Sequence, residues 1–142
     1  MKNFAHLHVH SCFSFQDGAS GVKKLVRSAG ELGMNSMAIT DHNNLSAALR
    51  LTKAAEECGI KPIHGAEVTL EDGSHLILLA ENPKGYSNIS VILTEAYMSG
   101  DWQNTARALE GRDAARTMNA LKRRRILPKV RFASLEEHNE GI

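Results

Sequence analysis

Histidine is concentrated toward one end of this 142-residue chain: His6, His8, His10, His42, His64 and His75 lie in the first 75 residues, and only His138 lies later. His8 and His10 fall two apart in the run Phe4 to His10, which reads as a strand of alternating apolar and imidazole side chains. Side chains i and i+2 of a strand point the same way, about 6 to 7 Å apart at Cα, so these two imidazoles can converge on one metal ion. Asp41 and His42 end a second short apolar run, and Glu67 stands near the end of a third. A carboxylate such as Glu67 can bridge two cations, as two-metal hydrolytic sites often require. Asp17, in the polar loop after the first run, can add a further oxygen. Alternation puts Ile63, Gly65 and Glu67 on one face and His64, Ala66 and Val68 on the other, so His64 and Glu67 should not reach the same site. His6 shares the face of His8 but lies deeper, and it reads as a hydrogen-bonded core histidine.

These donors need elements to carry them. Val22, Leu25, Val26, Ala29 and Leu32 follow a helical period closed by Gly33. Ser36 to Thr40 reads as a buried strand. Ser46 can cap a helix with apolar positions Ala48, Leu49, Leu51, Ala54 and Ala55, ending at Gly59. Lys61 to Leu70 and His75 to Ala80 read as strands joined by a hairpin turn at Glu71-Asp72-Gly73-Ser74. Tyr86, Ile89, Ile92, Leu93 and Ala96 share one face of a helix after Pro83, residues 101 to 125 form a further helical stretch, and Ser134 with Glu137 suggests a capping box. Strand, helix, strand, helix, strand spells an α/β fold with about four mainly parallel strands. In such folds, sites lie beyond the carboxyl ends of the strands, where His10, His42 and Glu67 would meet.

The length fits one domain, and 42% hydrophobic with 23% charged residues is ordinary globular composition. No stretch approaches the roughly 20 apolar residues of a membrane span, and MKNFAHLHVHS has no apolar secretory block, so a cytoplasmic location is expected. Cys12 and Cys58 read as reduced thiols. The net charge of +1 conceals an uneven spread, for residues 101 to 131 hold nine Lys/Arg against three Asp/Glu. Lys122 to Arg125 could follow nucleic-acid phosphates, although a solvated helix end is the plainer explanation of that run.

HLHVHS at 6–11, SFQDG at 14–18, AITDHNNL at 38–45 and GIKPIHGAEV at 59–68 together resemble the PHP (polymerase and histidinol phosphatase) family. HLILLAENPKGYSNI at 75–89 and KVRFASLEEHNEGI at 129–142 resemble the form at the N-terminus of bacterial DNA polymerase III alpha subunits. The resemblance implies a distorted (β/α) barrel with up to three zinc, manganese or iron ions that hydrolyse phosphoesters by an activated water. By position, His8, His10, Asp17, His42 and Glu67 match the metal-ligand motifs and His75 matches more loosely. Asp41 would be the catalytic-site carboxylate that orients an imidazole. A later Asp-x-His pair of the family has no counterpart in residues 76–142. The expectation is therefore a single truncated PHP domain with fewer than three metals: a βα core over 1–100, a divergent basic helical insertion over 101–127, and a return segment over 128–142. Its partners would be a phosphoester such as DNA and the remainder of a polymerase, or a second chain that completes the barrel. The alternative is a non-catalytic structural or docking fragment with a degenerate site.

Overall fold

The computed structural model describes residues 4–99 and 128–142, so the basic helical insertion expected over 101–127, including Lys122 to Arg125, lies outside the described residues. In chain order the elements are α1 (Val22–Glu31), β1 (Ser36–His42), α2 (Ala48–Cys58), β2 (Lys61–Thr69), β3 (His75–Leu79), α3 (Pro83–Ser99) and α4 (Phe132–Glu137). The fold is α/β. Among the described residues its sheet has the order β1-β2-β3, with β1 and β2 parallel and β2 and β3 antiparallel, a mixed three-stranded sheet where about four mainly parallel strands were expected.

The missing strand is Phe4 to His10. Ala38 N–H donates to the His6 carbonyl at 2.7 Å and Thr40 N–H to the Val9 carbonyl at 2.9 Å, so two residues of β1 are matched by three of this segment. One extra residue breaks the ladder as a bulge does, leaving a single parallel bridge from His6 to Met37. It also breaks the alternation, and His6 lies exposed against the edge of Phe4 instead of in the core.

Both glycine helix stops have the expected chemistry. Beyond α1, Gly33 takes φ +77° while Met34 N–H reaches the Ala29 carbonyl; beyond α2, Gly59 takes φ +65° while Ile60 N–H reaches the Ala55 carbonyl. Each is a left-handed C′ residue closing a Schellman motif. The serine caps differ. Ser46 precedes the N-cap Ala47 and donates its own N–H to Asn44 Oδ1, while Ser134 sits inside α4, whose N-cap is Arg131, and gives its buried hydroxyl to Glu95 Oε2 at 2.5 Å.

The helices cover one face of the sheet. Val22, Val26 and Ala29 of α1 meet Leu51, Ala54 and Ala55 of α2 over Met37 and Ile39 of β1. Ile89, Ile92, Leu93 and Ala96 of α3 cover Ala66, Val68 and Leu78, joined by Val130, which returns to bridge Leu70 at the end of β2. Burying each of the larger side chains contributes about 1.5–3 kcal/mol. The parallel register pairs His42 with Glu67, and the antiparallel register pairs Thr69 with His75. Alternation therefore turns His42, Glu67 and His75 to the face opposite the helices. Among the described residues no helix is long and apolar enough to cross a membrane.

Candidate metal centre

Glu67 lies at the floor of this face, 4% exposed, with imidazoles around both oxygens. Its Oε2 is 2.5 Å from His8 Nε2 and 3.0 Å from His10 Nε2. Its Oε1 is 3.1 Å from His42 Nδ1 and also contacts His75 Nδ1. Asp17 Oδ2 contacts His10 Nδ1 and lies 3.2 Å from His42 Nε2. Asp17, His8 and His75 form an exposed rim over a floor of Glu67, with His10 and His42 partly covered between them. All six residues expected as ligands thus meet in one cluster.

The electrostatics favour an anionic floor. Burial opposes ionisation of Glu67, but hydrogen bonds with His75, His8 and His10 and the charge of His42 outweigh it and hold the carboxyl at about 2, against an ordinary 4.5. Asp17 is also lowered, chiefly by its hydrogen bond with His10. A carboxyl depressed in the folded state stabilises the fold above its unfolded pKa and loses that contribution as pH falls through the folded value. Glu67 should therefore add up to about 3 kcal/mol to the metal-free protein above pH 4.5, declining toward pH 2. Urea midpoints measured down this range should converge for wild type and Glu67→Gln; a constant gap between the two curves would contradict the assignment.

Within the cluster three donor groups suit a metal ion, with ligand atoms within 4.8 Å of one another: His8, His10 and Glu67; His10, Asp17 and His42; His42, Glu67 and His75; a fourth set, Glu95, Glu137 and His138, lies apart from it. Nitrogen and carboxylate donors suit zinc, manganese or iron. A neutral imidazole offers one lone pair, so His10 and His42 can each serve only one cation at a time. At most two of the three groups can hold a full set of three donors together, and the pair that can coexist shares only Glu67, through its two different oxygens.

Asp41 takes another part than orienting an imidazole. Alternation along β1 turns it away from His42, and it is 1% exposed. Its carboxylate accepts from Ser11 N–H, Ser11 Oγ and Ser14 Oγ, each at 2.7 Å, and Ser14 Oγ in turn accepts His42 N–H at 3.1 Å. Asp41 thus fastens the 11–20 loop, which carries Asp17, to the end of β1. Sequence reading passed over Ser11 and Ser14; the available signal was a buried-facing Asp41 that needed donors.

Asn43 was also missed. It is buried with φ +52°, and its side chain donates to Thr69 Oγ1 and accepts Thr69 N–H, continuing the β1–β2 pairing past the point where β1 ends.

The loop closes tightly at Gly18, where a Cβ would stand 1.9 Å from the Ser11 carbonyl oxygen. Gly18→Ala must push the loop open, so metal affinity measured by competition with a chromophoric chelator should fall by about tenfold or more, the scale of losing a ligand's support. Unchanged affinity would show that the loop does not position Asp17.

His64 stays apart, as alternation requires. It packs edge-on against Tyr86 on the helix side, with Nε2 3.3 Å from Thr52 Oγ1, and burial pushes its pKa down. His138 stands 3.4 Å from Glu95, away from the cluster, and Cys12 and Cys58 are free thiols.

The family model described as PHP domain matches residues 6–142. An error-prone DNA polymerase of Symbiobacterium thermophilum is 50% identical over 107 residues, covering 75% of this chain and 10% of the relative. The DNA polymerase III subunit alpha of Treponema pallidum is 41% identical over 112 residues, covering 69% of this chain and 10% of the relative. The chain thus spans about a tenth of the length of these relatives. Among solved structures, a protein of Bifidobacterium adolescentis described as a metal-dependent phosphoesterase superposes with TM-score 0.55 and 25% identity, over 78% of this chain and 38% of that one. An amidohydrolase from Chromobacterium violaceum, holding sulfate and no metal, superposes with TM-score 0.56 and 25% identity, over 74% and 36%. With its motif histidines and carboxylates gathered around Glu67 and the match running from residue 6 to residue 142, the chain belongs to the PHP domain family.

Proposed function

We propose that this chain is a metal-dependent phosphoesterase module of the bacterial DNA polymerase III alpha type, acting on phosphoesters in the context of DNA replication or proofreading. The observation that carries the reading is the division of Glu67: one buried carboxylate gives each oxygen to a separate pair of imidazoles, with Asp17 beside them. Divalent cations bound there supply Lewis acidity and a water of lowered pKa, and they neutralise charge developing on a phosphoryl group. His8, His10, Asp17, His42, Glu67 and His75 would hold them, fewer than three at once. The chain's own task is to fix donor positions: β1 and β2 hold His42 and Glu67 in register, and the Asp41 latch sets Asp17. The exposed rim leaves the phosphoester an open approach.

Loading with Mn2+ or Zn2+ should confer hydrolysis of bis(p-nitrophenyl) phosphate that rises with metal occupancy. Full occupancy without turnover would overturn the catalytic reading. The overlap of donor groups favours a second one, in which bound metal steadies the fold of a larger polymerase and the remainder of that protein, or a second chain, completes a barrel along β3. Metal that raises the melting temperature without turnover would support it.

A further inference from the structure

We infer that Phe15 is a stacking surface for the base of a nucleotide whose phosphate reaches the metal centre; this rests on the phosphoesterase reading and specifies its substrate class. Phe15 is 82% exposed, the highest exposure recorded for a large apolar side chain among the described residues. It stands at the tip of a turn in which Asp17 N–H donates to the Ser14 carbonyl at 3.0 Å and Gln16 adopts φ +70°. A left-handed third residue is the mark of a type II-like turn, unusual without glycine, so the chain accepts backbone strain to hold this shape.

Both ends of the turn are fastened. Ser14 is bound to Asp41 and to His42 N–H, and Asp17 meets His10 and His42. An aromatic side chain this exposed, two residues from a candidate ligand of the exposed rim, does not serve the core. Phe13, two positions earlier, does serve it, packing against the first cluster under Arg50. The ring of Phe15 is free to meet a flat partner, and a base with its phosphate on the cluster is such a partner. Stacking of a base on an aromatic side chain accepts any base and adds about tenfold or more to affinity.

Calorimetry on the Zn2+-loaded chain can separate the contributions, with thymidine 5′-monophosphate, ribose 5-phosphate and inorganic phosphate as ligands. Wild type should bind the nucleotide about tenfold more tightly than ribose 5-phosphate, Phe15→Ala should bring the two to parity, and Phe15→Trp should keep the preference. Zinc content of each variant, read alongside, separates loss of stacking from loss of the site. Equal binding of nucleotide and sugar phosphate by wild type, or a preference that survives in Phe15→Ala, would overturn the inference and leave the phosphoesterase reading standing. If no phosphate compound binds the zinc-loaded chain, that reading fails and the inference with it.

Discussion

Glu67→Gln is expected to remove the site's capacity for a second ion. The substitution preserves volume but replaces an anion by an amide, and each of the two donor groups that can be filled together loses its only oxygen ligand. The cluster should then hold one ion, at His10, Asp17 and His42, in place of two, and hydrolysis of a phosphodiester should fall by about 100-fold or more. Isothermal titration with Zn2+ or Mn2+ measures the first quantity directly. Retention of the wild-type stoichiometry would mean that Glu67 is a structural acid tied to histidines and no ligand. Substitution of a rim residue such as His75, which enters one group only, should cost one ion and leave the other.

The second large effect is expected at Asp41, although it touches none of the six clustered ligands in the hydrogen bonds described above. Truncation to alanine leaves Ser11 N–H, Ser11 Oγ and Ser14 Oγ without their acceptor in a buried setting. Hydrogen bonds to a charged acceptor contribute about 1.5–3 kcal/mol each and do not add fully, so a loss of about 3–5 kcal/mol is expected. For a domain of this size the melting temperature should drop by roughly 10 °C or more. Metal affinity should fall in the same variant, because the loop bearing Asp17 is no longer fastened to β1. Asp41→Asn keeps the shape but turns an amide N–H2 toward a serine donor, and should lie between wild type and alanine in both measurements. A melting temperature unaffected by Asp41→Ala would remove the latch from the account.

The parts of the fold legible in sequence are those decided locally. Gly33 and Gly59 end helices because a left-handed residue is needed there, and glycine takes that conformation without cost. Asp72-Gly73 makes the β2–β3 turn through Gly73 at φ +88° and the Asp72 side chain bonding Ser74 N–H. Alternation along β2 correctly separated His64 from Glu67. What sequence could not supply was decided between distant residues. Ser46 and Ser134 have the composition of caps, but Asn44 and Glu95 are better placed to use their hydrogen-bonding groups. The extra residue between His6 and Val9 shows only against the spacing of β1, so a regular strand was the natural reading and a buried His6 its wrong consequence. Asp41 was recognised as important and assigned the wrong neighbours, since its partners lie 27 and 30 residues away in a loop with no periodic signal.

Elemental analysis of the purified chain after equilibration with zinc, manganese and iron, and removal of free ions, tests the metal centre most directly. Wild type should retain at least one ion per chain, the overlap of donor groups limiting the cluster around Glu67 to two, and the variant with His8→Ala and His10→Ala should retain fewer. A wild-type chain that retains no ion, or a double variant with undiminished content, would contradict the account.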